Sequence, residues 1–205
     1  MKSRWGVLGA GLLCSMLAAG CGTHGKREGA NGPIRIGFSM DSLQLERWQR
    51  DRDIFVAKAK QLGATVKIQS ADGNDATQVQ QSENLLTEGV DVLVVVPHNG
   101  EIAASIVNSA KRQHLPVLSY DRLIQNSDVD FYISFDNVRV GEMQAKYLLD
   151  RAPKGNYILI GGSPTDNNAH LLRRGQINIL QPRSLEATSR SSPTSGRRTG
   201  CRAKR

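Results

Sequence analysis

The stretch VDVLVVVP, residues 90–97, decides how the chain is read. Its apolar run is unbroken from Val92 to Val96, whereas a strand with one face in water alternates apolar and polar side chains. An unbroken Val and Leu run needs cover on both faces, as an interior strand of a parallel sheet has. The predicted strand covers Val90 to Val96, and Pro97 ends it. His98 and Asn99 then stand at its carboxyl end.

Similar short runs recur on both sides, at Ile34–Met40, Thr65–Gln69, Val117–Ser119, Phe131–Ser134 and Tyr157–Ile160. Stretches of helical period separate them. Leu45, Trp48, Phe55 and Leu62 fall near one stripe, Val79, Ser82 and Leu86 on a second, and Ile102, Ile106 and Ala110 on a third. A further helix is expected over Val138–Arg151, with Val140, Met143 and Tyr147 on one side. Gly63, Gly89 and Gly155 each close or follow a helical stretch. A strand and helix every 25 to 30 residues, roughly, is the period of βαβ units, which predicts an α/β fold with a parallel sheet sandwiched by helices.

In open α/β sheets ligands bind beyond the carboxyl ends of the strands. The first strand leads there to Asp41, with Arg47 and Trp48 at the following helix start. The third leads to His98 and Asn99, the fourth to Tyr120, Asp121 and Arg122, the fifth to Asp136 and Asn137, and the sixth to GGSPTDNNAH. The chain carries no Gly-x-Ser-x-Gly elbow, no Walker lysine loop and no dinucleotide glycine fingerprint after the first strand. The four histidines have no partner at metal-ligand spacing. Ser163 has no identifiable base. Binding is therefore expected rather than catalysis, with no metal and no cofactor.

Carboxylates, amides and guanidinium groups beside an aromatic suit a sugar, whose hydroxyls both donate and accept while its C–H face packs on a ring. Asp121, Arg122, Arg47, Asn168 and Trp48 fit that task. Other readings stay open at this stage: Arg47 pairing with Asp51 at i+4 on an exposed helix face, Trp48 in the core, Asp121 capping a helix, and His98 as a solvated loop side chain.

The formal charge of +8 resides at the chain ends. Between Cys21 and Pro182 the 18 basic and 18 acidic side chains cancel, which removes the main support for a nucleic-acid partner. Residues 1–20, MKSRWGVLGAGLLCSMLAAG, have the cationic start and short apolar run of a secretory signal. LAAGC at their end is similar to a lipobox, predicting lipidation of Cys21. An ordinary signal peptide with an incidental cysteine is the alternative. Residues 21–33 read as a tether. Cys14, Cys21 and Cys201 leave the body without cysteine, so no disulfide framework is available there.

DSLQLERWQRDRDIF, VDVLVVVPHNG, YDRLI, DVDFYISFDN and GNYILIGGSPTDNNAHL closely resemble the D-xylose-binding branch of the ribose-type periplasmic sugar-binding proteins of bacterial ABC importers. The likeness runs from about Pro33 to Pro182. It implies a type I periplasmic binding protein fold in which two α/β lobes close on one sugar. The first lobe would occupy residues 34–136, nearly complete, and residues 137–182 would begin the second. Carried over position by position, Arg47, Asp121, Arg122, Asp166 and Asn168 are implied as hydrogen-bonding residues and Trp48 as a stacking ring.

The implied protein is a monomeric, lipid-anchored receptor in the periplasm or on the outer face of the cell membrane. It would deliver a monosaccharide, D-xylose above all, to an ABC permease. The alternatives are a sugar-sensing partner of a membrane receptor or kinase, and a truncated fragment without function. The family pattern breaks at NILQP. Residues 183–205, with seven basic residues, many Ser and Thr and one Leu, are expected to be disordered and resemble an out-of-frame reading; a basic tail on membrane phosphates is the other reading.

Overall fold

A computed structural model describes residues 32–190, with side chains described up to Gln181. The signal-like segment, Cys21 and all but the last two residues of the tether lie outside the described residues, as does the tail from 191 onward. Five strands alternate with helices: β1 (Arg35–Met40), α1 (Glu46–Gln61), β2 (Thr65–Ser70), α2 (Asp75–Thr87), β3 (Val92–Val95), α3 (Ala104–Arg112), β4 (Val117–Tyr120), β5 (Phe131–Ile133), α4 (Asn137–Arg151) and α5 (Asn167–Arg190). The strands form one sheet in the order β2-β1-β3-β4-β5, and every pairing is parallel.

The Val-rich run that opened the reading is interior, between β1 and β4. Successive side chains point to opposite faces, and both faces are covered. Leu93 and Val95 join Leu85, Leu86, Ile106, Val107 and Ala110 of α2 and α3. Val94 and Val96 join Phe38, Met40 and Trp48, with Phe55 of α1 packed against them. Phe38 and Phe55 approach to 4.6 Å between ring centroids, and Tyr120 meets both edge-on.

Polar side chains brace this frame from inside. Gln78 of α2 is buried and clamps the end of β3, donating to the Val96 carbonyl at 2.8 Å and accepting from the His98 N–H at 2.9 Å. Asp130, ahead of β5, accepts from the Val117 N–H at 2.7 Å and from Lys111 at 2.7 Å. The Lys111 hydrogen bond, followed by that of Val117, holds the Asp130 carboxyl below its ordinary 3.8. A carboxyl depressed in the folded state contributes stability above its ordinary range, and that contribution is lost as the pH falls through the depressed value.

Several expectations change. Leu45 and Leu62, at the two ends of α1, are exposed, because a terminal side chain has no turn beyond it to hold it against the sheet. Ile102 lies ahead of α3 and is exposed for the same reason. Tyr157–Ile160 is not a strand: these residues pair with no neighbour among the described residues, and Ile158 and Ile160 are 88% and 91% exposed. β-propensity describes fit to a neighbouring strand, and none of the described strands lies beside this segment. The helix α5 runs through Pro182 to Arg190, so the first eight residues of the segment expected to lack structure are helical. Composition excluded a strand there but not a helix, since Leu, Glu and Ala are favourable helix residues.

The largest correction concerns α4. Asp136 caps it, accepting the Arg139 N–H at 3.0 Å. Met143 and Tyr147, read as its apolar face, are exposed. The buried residues are Asn137, Gly141, Ala145 and Leu149. α4 packs on α5 through this small-residue face. A methyl added at Gly141 would collide with the Leu172 carbonyl, and one at Gly175 with the Val138 carbonyl. The two backbones approach too closely for any side chain between them. Gly175→Val is therefore expected to destabilise the fold by about 1–3 kcal/mol through overpacking. Gly161→Val, at a position with open space, is the control that leaves the thermal midpoint unchanged; circular-dichroism melting checks both.

Candidate functional site

β1 and β3 are neighbours in the sheet although β2 lies between them in sequence, and α/β sheets bind ligands at such a reversal of strand order. Asp41 follows β1, Pro97 and His98 follow β3, and Asp121 and Arg122 follow β4. These side chains meet. Arg122 Nη1 donates to Asp41 Oδ2 at 2.6 Å and to the Pro97 carbonyl at 3.1 Å. Asp41 Oδ1 lies 2.7 Å from His98 Nδ1. On its other side Arg122 Nε is 3.3 Å from Asp166 Oδ2.

Asp166 has a second task. Its Oδ1 accepts the Asn168 N–H at 2.9 Å, a capping bond at the start of α5. A carboxylate is also favoured there by the partial positive charge of a helix amino end. One side chain thus fixes the helix start and faces a guanidinium.

Asp121 is organised through its backbone. It is a buried non-glycine residue with φ of 62°, in the left-handed region. Its N–H donates to the Ile133 carbonyl at 2.8 Å. Its own carbonyl accepts from Ser134 Oγ at 2.6 Å and Asn168 Nδ2 at 3.0 Å. The side chain takes Arg47 Nη2 on Oδ1 at 2.5 Å, and Asn168 Nδ2 stands 3.4 Å from Oδ2. Asn137 completes the group, donating to Asn168 Oδ1 at 3.0 Å.

All six residues implied for sugar contact, Arg47, Trp48, Asp121, Arg122, Asp166 and Asn168, are therefore within one connected cluster. The alternatives divide. Arg47 lies 3.8 Å from Asp51 but its short contact is with Asp121. Asp121 caps no helix among the described residues. Trp48 is in the core at 3% exposure. Its ring lies beneath two cations, with Arg47 Cζ 4.4 Å and Arg122 Cζ 5.4 Å from the ring. Trp is the best aromatic partner for such cations, so the indole positions the guanidinium groups. Tyr120 borders the cluster, and burial first, then the carboxylates of Asp51 and Asp121, raises its phenol above the ordinary 10.0.

Asp41, His98, Ser134 and Asn137 were not singled out as site residues. The signal for Asp41, His98 and Asn137 is their position at strand ends. Nothing in the sequence ties Asn137 to Asn168. Among the described residues no group of three or more His, Cys, Asp and Glu is arranged to hold a metal ion.

The charges are nearly matched. Asp41, Asp121 and Asp166 face Arg47 and Arg122, with His98 beside them, so an anion would meet carboxylates and a cation would meet guanidinium groups. The arrangement suits a neutral ligand with many hydroxyls.

The periplasmic binding protein domain family matches residues 36–196, and the chain belongs to it. Its matched span runs beyond Pro182. The D-xylose-binding periplasmic protein of Escherichia coli is 53% identical over 171 residues, covering 83% of this chain and 50% of the relative. That of Haemophilus influenzae is 55% identical over 149 residues, covering 73% and 45%. An ABC transporter solute binding protein from Clostridium phytofermentans, solved with β-D-glucose bound, superposes with a TM-score of 0.71 at 32% identity, over 78% of this chain and 52% of that one. The parallel α/β fold is that of type I periplasmic binding proteins. The chain spans about half the length of the curated relatives it matches.

The turn that aims Asp121 and Arg122 hangs on the buried Ser119 hydroxyl, which donates to the Arg122 carbonyl at 2.6 Å and accepts the Ile124 N–H at 3.0 Å. Ser119→Ala strands both groups. It is expected to cost about 1–3 kcal/mol, read as a lower midpoint in urea unfolding.

Proposed function

We propose that the chain is the sugar-binding part of an extracytoplasmic solute receptor, which captures a monosaccharide, D-xylose above others, for an ABC permease. The observation that carries this reading is the charge-balanced group of Arg47, Asp121, Arg122, Asp166 and Asn168, which meet at the carboxyl edge of the sheet. It offers donors and acceptors in alternation to a ligand with no charge. The two relatives named as D-xylose-binding periplasmic proteins support the choice of sugar, and the glucose-bound neighbour supports the ligand class. Binding rather than catalysis is its task.

In this reading Arg47 and Arg122 donate to sugar oxygens, Asp121 and Asp166 accept hydroxyl protons, and Asn168 does both. Trp48 supports the guanidinium groups from below, and a sugar face reaches its ring where those side chains give way. NMR titration of the full chain with D-xylose, with D-glucose as a second arm, tests this. The expected result is shifts concentrated at Arg47, Trp48, Arg122 and Asn168. Asp121→Ala and Arg122→Ala should each weaken binding by about 2–4 kcal/mol, the scale of stranding a buried charged partner. Variants that fold and respond to D-xylose as the parent does would overturn the assignment.

The same proposal places the mature protein in the periplasm or on the outer face of the cell membrane, held by a diacylglyceryl group on Cys21, as a monomer. Mass spectrometry of membrane-extracted protein should find that modified cysteine as the amino terminus. A soluble product beginning at another residue would refute the anchor.

A further inference from the structure

Asp41 is not among the residues that would touch sugar in the reading above, yet it is a buried carboxylate with a partner on each oxygen. An ionised carboxylate in such a place is retained only where charge-assisted hydrogen bonds replace its water. Arg122 supplies one and the His98 ring the other. Arg122 is hydrogen-bonded through Nη1 and makes an ion-pair contact through Nε. Nη1 has two N–H groups and two acceptors, Asp41 Oδ2 and the Pro97 carbonyl. Nε faces Asp166. Among the described residues Nη2 has no hydrogen-bond partner, so its two N–H groups are open to a ligand.

We propose that Asp41 is the positioning residue of the site: it fixes the rotation of the Arg122 guanidinium so that Nη2 presents its donors to the bound sugar. This rests on the monosaccharide reading. The guanidinium is planar and its donors form a fixed fork, so engaging both protons of Nη1 sets the direction of the remaining pair. His98, on the far oxygen, keeps the carboxylate from turning away. Without Asp41 the strongest attraction left to Arg122 is Asp166. A guanidinium forks onto a carboxylate through two adjacent N–H groups, which would draw the free donors away from the ligand.

The test is NMR of the Arg122 side-chain N–H groups in the full chain, with and without Asp41→Asn, followed by D-xylose titration of both. The unsubstituted chain should give distinct Arg122 Nη signals, because a nitrogen held by two acceptors rotates slowly. Asp41→Asn, nearly isosteric, should merge them and weaken D-xylose binding about 10- to 100-fold, the equivalent of one charge-assisted hydrogen bond. The methyl signals of Leu93 and Ile106, in the other core cluster, should stay in place, showing the core intact.

Unchanged affinity in a folded Asp41→Asn chain overturns the proposal, as do Arg122 signals that stay distinct in that variant. Should Asp41→Asn fail to fold, the unsubstituted chain still decides, since averaged Nη signals there contradict a fixed guanidinium and distinct ones support it. If D-xylose moves no signal in the unsubstituted chain while Asp41→Asn merges the Nη signals, the monosaccharide reading falls and the anchoring of Arg122 by Asp41 stands.

Discussion

The ion pair of Asp41 with Arg122 is the constraint on which the rest of the site depends. Parallel strands lie about 4.8 Å apart, so β1 and β4, with β3 between them, are separated by about 10 Å. A short Asp from one and a long Arg from the other close that gap at 2.6 Å. The Pro97 carbonyl, just past the end of the intervening strand, accepts from the same guanidinium. Three strand ends are tied together by one guanidinium, which then faces Asp166 before α5. Were the sheet to slip by one residue, these side chains would turn to the opposite face.

A second constraint lies away from the charges. Gly141 and Gly175 let α4 and α5 touch backbone to backbone. That contact fixes where the amino end of α5 falls, and with it Asp166 and Asn168. The hydrogen bond between Asn137 and Asn168 ties the first residue of α4 to the first turn of α5 beside the site. Packing between two helices thus supplies two of the polar groups that meet the strand ends.

The electrostatics follow from this convergence. Buried charges are costly singly and tolerable in pairs, and each carboxylate here has a cation or an amide. Arg47 is the most open member at 52% exposure and bonds to the nearly enclosed Asp121. A ligand reaching Asp121 would therefore have to replace its bond with Arg47. Hydroxyl groups, which donate and accept, can do so without leaving a charge unpaired.

Much of the fold was legible because it depends on local pattern. The Val run at 92–96, the glycines after helices and the alternation of strand with helix each reflect a nearest-neighbour requirement, and all five strands of the sheet lie where those patterns stand. Strand ends put Asp121 and Arg122 at one edge of the sheet, since parallel strands bring all carboxyl ends there. What remained hidden depends on residues distant in sequence. Tyr157–Ile160 has the composition of a strand, but pairing needs a neighbour that composition cannot supply. Met143 and Tyr147 looked like the buried face of α4 until α5 packed against Gly141 and Ala145 instead. Asp41 was one polar residue among many until the sheet order put β1 beside β3 and a guanidinium from β4 within reach. The sequence by itself determined which segments could be strands and helices. Only the tertiary structure decided which side chains meet, because ion pairs and helix contacts are settled by distance in space rather than along the chain.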